Sequence, residues 1–158
     1  MTITDVDISE MLNIIRPLIG LKAWGVSLGV GSFITLEFGE ALSPDKVTGR
    51  QYGEWHLWIY CSMWRLETDR DVLVGSEDPR PFLESTIKEL ENNTLRSVTI
   101  TLPNLDTVFE FDESRKLRVL PTSMYQGDEY WMLFTPAGKV LHLGPGTSWA
   151  YVSASSSE

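Results

Sequence analysis

The stretch from Gly53 to Arg65, GEWHLWIYCSMWR, constrains the fold more than any other part of the chain. It contains three of the six tryptophans, the single cysteine and one of the two histidines. Glycine occurs only at its first position and proline is absent, while aromatic and large apolar residues dominate. This composition predicts a long β-strand that continues to Glu67.

Side chains of a β-strand alternate between its two faces, and the two faces predicted here differ in character. The first is wholly apolar and carries Trp55, Leu57, Ile59, Cys61 and Met63. The second is aromatic with polar tips and carries Glu54, His56, Trp58, Tyr60, Ser62 and Trp64. Because a strand covered on both faces lies inside a sheet, we predict that this strand is a central one.

The other elements follow from the spacing of apolar residues along the chain. Helical spacing predicts one helix over residues 7–19, with Asp7 in a capping box at its start. A second helix is predicted to begin with Asp78 as its N-cap and to end at Asn92. Alternating hairpin patterns occupy residues 22–39 and most of the chain after the second helix.

This order of elements predicts an α+β fold. The strand–helix–strand repeat of a doubly wound nucleotide-binding sheet is missing from the pattern. We predict a mostly antiparallel curved sheet of about six to eight strands, with two helices packed on it. The sequence favours one domain over residues 1–152 and a disordered tail over residues 153–158.

The net charge of −9 narrows the functional classes. An acidic surface repels phosphate backbones, so nucleic-acid binding, which depends on lysine and arginine, is not expected. The same charge suits either solubility alone or a protein partner with a basic surface. The sequence begins without a basic segment followed by an apolar run, and no apolar stretch is long enough for a membrane helix. We therefore expect a cytoplasmic protein.

The two histidines are the first candidates for chemistry. Glu54 lies two residues from His56 on the same predicted face, where it could orient the imidazole ring. A histidine hydrogen-bonded inside a packed sheet face is the commoner explanation, and His142 offers no third ligand for a shared metal. Neither Cys61 nor Ser62 stands in a nucleophile elbow. The sequence therefore predicts no catalytic residue, no metal site and no cofactor.

Aromatic residues and carboxylates are the candidates for binding. Large amphipathic rings anchor interfaces and line pockets, but they also fill cores. The second face of the long strand is therefore either covered or the floor of a pocket, and its candidate residues are Glu54, His56, Trp58, Tyr60 and Trp64. Carboxylates on predicted turns form either a solvated rim or a docking surface: Asp106, Glu110, Asp112, Glu113, Asp128 and Glu129. Among these, Asp112 and Glu113 are the candidates for contact with a basic partner.

Two segments of the sequence resemble known proteins. They are GSFITLEFG over residues 31–39 and GEWHLWIY over residues 53–60, with Trp64-Arg65-Leu66 after the second. They resemble small stand-alone bacterial proteins of uncharacterised function, which are similar to compact acidic immunity or accessory factors of bacterial conflict systems. The resemblance covers roughly the first half of the chain and implies partner binding. It carries no catalytic motif and assigns no site residue.

Three functions stay open at this point. The leading hypothesis is a non-enzymatic binding protein of immunity or accessory type, which occludes a site on a protein partner through an acidic and aromatic surface. The second is a small-ligand-binding protein with a pocket floored by His56, Trp58, Tyr60 and Trp64. The third is a hydrolase that uses His56 and Glu54. The missing catalytic signature ranks the third hypothesis last.

Overall fold

The computed structural model of the chain describes residues 2–122 and 127–156. Its α-helices are α1 (Asp5–Ile15) and α2 (Arg80–Ile87). Its strands are β1 (Trp24–Leu28), β2 (Ile34–Ala41), β3 (Gly53–Ile59), β4 (Met63–Glu67), β5 (Val72–Gly75), β6 (Leu95–Thr101), β7 (Asp106–Phe111), β8 (Lys116–Leu120), β9 (Trp131–Phe134), β10 (Lys139–Leu143) and β11 (Trp149–Ser153).

The described strands form two antiparallel sheets. The six-stranded sheet has the order β1-β2-β3-β9-β10-β11, and the five-stranded sheet has the order β5-β4-β8-β7-β6. The predicted α+β class, the antiparallel pairing and the two helices are confirmed. The strands are more numerous than the sequence indicated, and they divide between two sheets that pack against each other.

The stretch from Gly53 to Arg65 supplies a strand to each sheet. Strand β3 ends at Ile59, and β4 begins at Met63 in the other sheet. Between them, the backbone N–H of Tyr60 donates to the carbonyl of Tyr130 (2.9 Å), and Ser62 N–H turns back to the carbonyl of Tyr60 (3.0 Å). The predicted continuous strand to Glu67 is therefore wrong, because the chain turns between the two sheets.

Crossing between sheets reverses which positions point into the core. In β3 the predicted alternation holds, with Leu57 and Ile59 fully buried and Trp58 half-buried on the outer face. After the turn, Trp64 of β4 is only 1% exposed, although an unbroken strand would have put it beside Trp58. The inner surfaces of two packed sheets face each other, so the same parity of residues points outward from one sheet and inward from the other.

The core lies between the sheets, and Trp131 of β9 is at its centre. Its indole N–H donates to the hydroxyl of Thr107 on β7 (3.0 Å), and its ring packs edge-on against Phe109 with the centroids 5.3 Å apart. Trp64 makes a second link, since its indole N–H donates to the carbonyl of Ser32 before β2 (2.7 Å). These bonds satisfy the indole N–H groups of the two buried tryptophans. Burying the rings therefore leaves neither donor without a hydrogen-bond acceptor.

The helices lie along the edges of the sandwich. Helix α2 packs against the edge strands β1 and β5, and α1 packs against the edge strand β6. The indole N–H of Trp149, on the edge strand β11, donates to Asp7 of α1 (3.3 Å). This placement leaves the outer face of the six-stranded sheet accessible over Trp58 and Tyr60, which are only partly buried.

Both helices begin differently from the prediction. In α1 the N-cap is Thr4: its hydroxyl accepts the N–H of Asp7, whose carboxylate accepts the N–H of Thr4 (2.7 Å). Asp7 therefore closes the capping box as its acidic member instead of opening it. In α2 the N-cap is Pro79, because Asp78 instead accepts the N–H of Gly75 (2.8 Å). Each helix also ends early and continues as a 3-10 turn, over Arg16–Leu18 and Lys88–Leu90.

Residues 153–156, which the sequence predicts to lie in a disordered tail, have regular structure. Ser153 is the last residue of β11, and Ala154–Ser156 form a 3-10 turn whose Ala154 N–H donates to the carbonyl of Gly138 (3.0 Å). Residues 157–158 lie outside the described part of the chain. Neither α1 nor any other described helix combines the length and apolar character that a membrane crossing requires.

Candidate functional site

Two adjacent aromatic side chains form a ridge on the outer face of the six-stranded sheet. Trp58 lies near the end of β3, and Tyr60 follows that strand; their ring centroids are 4.5 Å apart. The ring of Phe33 lies 4.6 Å from that of Tyr60 and 6.2 Å from that of Trp58. Both members of the ridge, Trp58 and Tyr60, are only partly buried. The predicted aromatic face is thus an accessible surface at these two positions.

A groove lies on each side of the aromatic ridge. The His56 groove has a volume of about 580 Å³ and is lined, besides the ridge, by Gly29, Val30, Phe33, Thr35, Arg50, Tyr52 and His56. The acidic groove has a volume of about 560 Å³ and is lined, besides the ridge, by Asp128, Glu129, Met132, Phe134, Ala154 and Ser155. Trp58 and Tyr60 line both grooves, so a ligand that crosses the ridge touches both.

The partner of His56 is Glu37 and not Glu54. Glu37 on β2 stands directly opposite His56 on β3, and its Oε2 lies 2.6 Å from Nδ1 of the imidazole. Directly opposed residues of neighbouring strands lie closer together than residues two apart on one strand, which explains the choice. Glu54 instead accepts the backbone N–H of Glu40 (2.9 Å). The predicted Glu54–His56 pair is therefore wrong.

The Glu37–His56 pair is satisfied on its inner side and open on its outer side. Glu37 is 4% exposed, and its second oxygen accepts the backbone N–H of Gly53 (2.9 Å). An ionised carboxylate only accepts, so Nδ1 of His56 carries the shared proton. Among the described residues, Nε2 has no hydrogen-bond partner. The ring is held by edge contacts with Tyr52 (5.1 Å between centroids) and a tilted contact with Phe134 (5.7 Å).

This pair has the orientation of a general base, and the aliphatic hydroxyl among the described lining residues of the groove is already hydrogen-bonded. A neutral imidazole with its Nδ1–H on a carboxylate offers the Nε2 lone pair to a donor. Thr35, the aliphatic hydroxyl of the His56 groove, is hydrogen-bonded to the hydroxyl of Ser27 on β1 (2.8 Å). The arrangement is that of a buried carboxylate compensated by a histidine, which also sits at a binding surface.

The acidic groove carries negative potential. Burial raises the pKa of the Tyr60 phenol, and the charges of Asp128 and Glu129 raise it further. Among the described residues, neither carboxylate takes part in an ion pair. The same two charges act on Cys61, whose Sγ lies 3.7 Å from an oxygen of Asp128.

We expect Cys61 to be an unreactive thiol at neutral pH. Its pKa is raised by burial first and by Asp128 and Glu129 next, so the neutral thiol is favoured and the thiolate appears only at higher pH. The rate of alkylation by iodoacetamide is followed by mass spectrometry from pH 7 to 10. It should increase at a higher pH than the alkylation rate of a free cysteine does. Asp128→Asn should move the profile to lower pH and Asp112→Asn should not. A profile that Asp128→Asn leaves unmoved would contradict this arrangement.

The structure separates three predicted site residues from the aromatic ridge. Trp64 is buried between the sheets, so the predicted pocket floor loses this member. Asp112 and Glu113 lie in the 3-10 turn between β7 and β8 of the five-stranded sheet. Asp112 pairs with Arg96 (2.6 Å), whose hydrogen bond lowers the pKa of that carboxyl, and Glu113 pairs with Arg115 (3.0 Å). Neither carboxylate lines a groove of the ridge.

Comparison of the chain with protein-family models, with curated proteins and with solved structures found no match in any of the three. The resemblance to immunity factors therefore stays a prediction. Over residues 2–122 and 127–156, no group of three or more histidine, cysteine, aspartate and glutamate side chains is arranged to hold a metal ion. His142 lies on the outer face of β10, two strands away from β3.

Proposed function

We propose that this chain is a non-enzymatic binding protein that engages a protein partner through the aromatic ridge. The observation that carries the proposal is the position of Trp58 and Tyr60, which line two grooves and are only partly buried among the described residues. Tryptophan and tyrosine dominate the residues that supply most of the free energy at protein interfaces. Placed at the centre of such a surface, they suit an anchor that enters a partner's concave site.

The surroundings of the ridge support a protein partner over a compact small ligand. Each groove is open and shares its wall with the other, so the whole surface extends over β2, β3 and β9. An enclosed pocket would favour the small-ligand hypothesis, because small ligands are mostly buried on binding. For the third hypothesis, a hydrolase, the carboxylate beside His56 would be Glu37 and not Glu54, which is bonded elsewhere.

We further propose that the partner's site is blocked while the chain is bound, as an immunity or accessory factor of a bacterial conflict system would do. This part rests on the resemblance of residues 31–39 and 53–60 and on the net charge of −9. The charge contribution does not come from Asp112 and Glu113, which are paired with arginines. We assign it instead to Asp128 and Glu129, which line the acidic groove beside the ridge.

Capture of the partner from the native cell tests this proposal. The tag belongs at the N-terminus, because Ala154 and Ser155 line the acidic groove. We expect the wild-type chain to recover one stoichiometric protein, with affinity that falls as salt rises. Trp58→Ala should weaken binding by about 2 kcal/mol, or about thirtyfold, as the loss of a central anchor does.

A matched control is available on helix α2. Phe82 is 48% exposed and lines neither groove, so Phe82→Ala removes an exposed aromatic ring and leaves the lining of both grooves unchanged. It should bind the partner as the wild type does. Recovery of the chain without a partner, or equal losses of affinity for Trp58→Ala and Phe82→Ala, would contradict the proposal. Either result would favour the small-ligand hypothesis.

A further inference from the structure

The acidic groove combines negative charge with aromatic ring faces. Asp128 and Glu129 lie on one side, and Trp58 and Tyr60 form the other. Met132 and Phe134 of β9 complete the apolar part of its lining. Among the described residues that line it, none carries a positive charge. Carboxylates beside ring faces are the surroundings that a guanidinium or ammonium group prefers.

Several carboxylates on or beside the five-stranded sheet are compensated within the chain, unlike the two carboxylates of the acidic groove. On that sheet Glu67 binds Arg65 and Arg118, and Lys116 binds Asp69. Asp128 and Glu129 have no such partner among the described residues, and their charges raise the pKa of Tyr60 after the larger contribution of burial. Two carboxylates without an ion pair among the described residues therefore lie beside the aromatic ridge.

We propose that the acidic groove receives an arginine side chain of the protein partner, a step that rests on the proposed function. The planar guanidinium stacks on the ridge and donates to the carboxylates of Asp128 and Glu129. Arginine suits this site better than lysine, because its planar fork stacks on rings while it pairs with carboxylates. The open groove admits a side chain that projects from a larger surface.

Two double variants of equal charge test the proposal with the captured partner. Asp128→Asn/Glu129→Gln removes two negative charges from the acidic groove, and Asp112→Asn/Glu113→Gln removes two from the turn between β7 and β8. We expect the first to lower the affinity about fivefold to tenfold and to flatten its salt dependence. The second should change the affinity less than about twofold, since its carboxylates are already paired. Equal effects of the two variants would overturn the proposal.

A titration without the partner tests the groove itself. The probe is N-acetylarginine amide, and its uncharged analogue N-acetylcitrulline amide is the control, both followed by proton–nitrogen NMR. We expect the arginine probe alone to shift the indole N–H of Trp58 and the amide of Tyr60, and the groove variant to lose these shifts. Equal shifts with both probes, or shifts centred away from the ridge, would overturn the cation site.

The two proposals fail in different ways. If Trp58→Ala abolishes capture while Asp128→Asn/Glu129→Gln binds normally, the ridge remains the docking surface and the arginine site is wrong. If the wild-type chain captures no protein, the proposed function is wrong, and the titration still decides whether the groove accepts a guanidinium.

Discussion

Trp131→Ala should lower the free energy of unfolding by about 3–5 kcal/mol, the largest effect that we expect from a single substitution. The side chain is 1% exposed, and its ring and indole N–H contact Phe109 and Thr107 on the opposite sheet. Truncation opens a cavity between the sheets and leaves the buried Thr107 hydroxyl without this donor. Urea unfolding followed by far-ultraviolet circular dichroism measures the loss.

Trp58→Ala is the matched control for this effect. The same atoms are removed from the outer face of the same sheet, where Trp58 is only half-buried and leaves no enclosed cavity. We expect a loss of about 1–2 kcal/mol, because the area returned to water is smaller and the site is open. Equal losses at the two positions would mean that Trp131 does not join the sheets as described. Because this loss of unfolding free energy is small, we expect Trp58→Ala to remain folded in the binding experiment.

His56→Ala should cost about 3 kcal/mol, although the imidazole lies at the surface of the sheet. The reason is Glu37, which is 4% exposed and would lose the 2.6 Å hydrogen bond between its Oε2 and Nδ1 of His56. An unpaired buried carboxylate costs far more than the pair itself contributes. His142→Ala is the control, since it removes the same ring from the outer face of β10 without breaking an ion pair among the described residues.

A double variant separates the charge from the packing. Glu37→Gln/His56→Ala removes the carboxylate together with its partner, and Gln can still accept the N–H of Gly53. We expect the double variant to be more stable than His56→Ala alone. Urea unfolding of the wild type, Glu37→Gln, His56→Ala and the double variant measures the coupling free energy between the two residues. Additive losses would show that Glu37 is not held by His56.

Local patterns in the sequence predicted the elements and one face of the site. Alternation within β3 predicts Leu57 and Ile59 on one face and His56 and Trp58 on the other, because this property depends only on the strand itself. The same reasoning failed beyond Tyr60. The turn into the second sheet is fixed by the carbonyls of Glu129 and Tyr130, which are distant in sequence. The position of Trp64 follows from that turn.

The Glu37–His56 hydrogen bond and the two grooves depend on strand register, which the sequence does not specify. Glu37 shares a face with Phe33 and Thr35 in the pattern of β2, yet its position opposite His56 requires the antiparallel register of β2 and β3. Phe134 reaches His56 only because β9 pairs with β3 across a long sequence separation. Asp128 and Glu129 were recognised as part of a carboxylate cluster. Their separation from Asp112 and Glu113 became visible only with the two sheets.

Hydroxyl-radical footprinting of the chain, alone and bound to its captured partner, tests the central claim most directly. The oxidation rates of Trp58, Tyr60 and Phe134 should fall on binding, because the partner covers the aromatic ridge and the acidic groove. Phe82 on α2 and Met63 on β4, which are 48% and 43% exposed, should react at unchanged rates. If Phe82 or Met63 is protected while Trp58 and Tyr60 stay reactive, the interface lies elsewhere. That result would contradict the proposal that the partner covers the aromatic ridge.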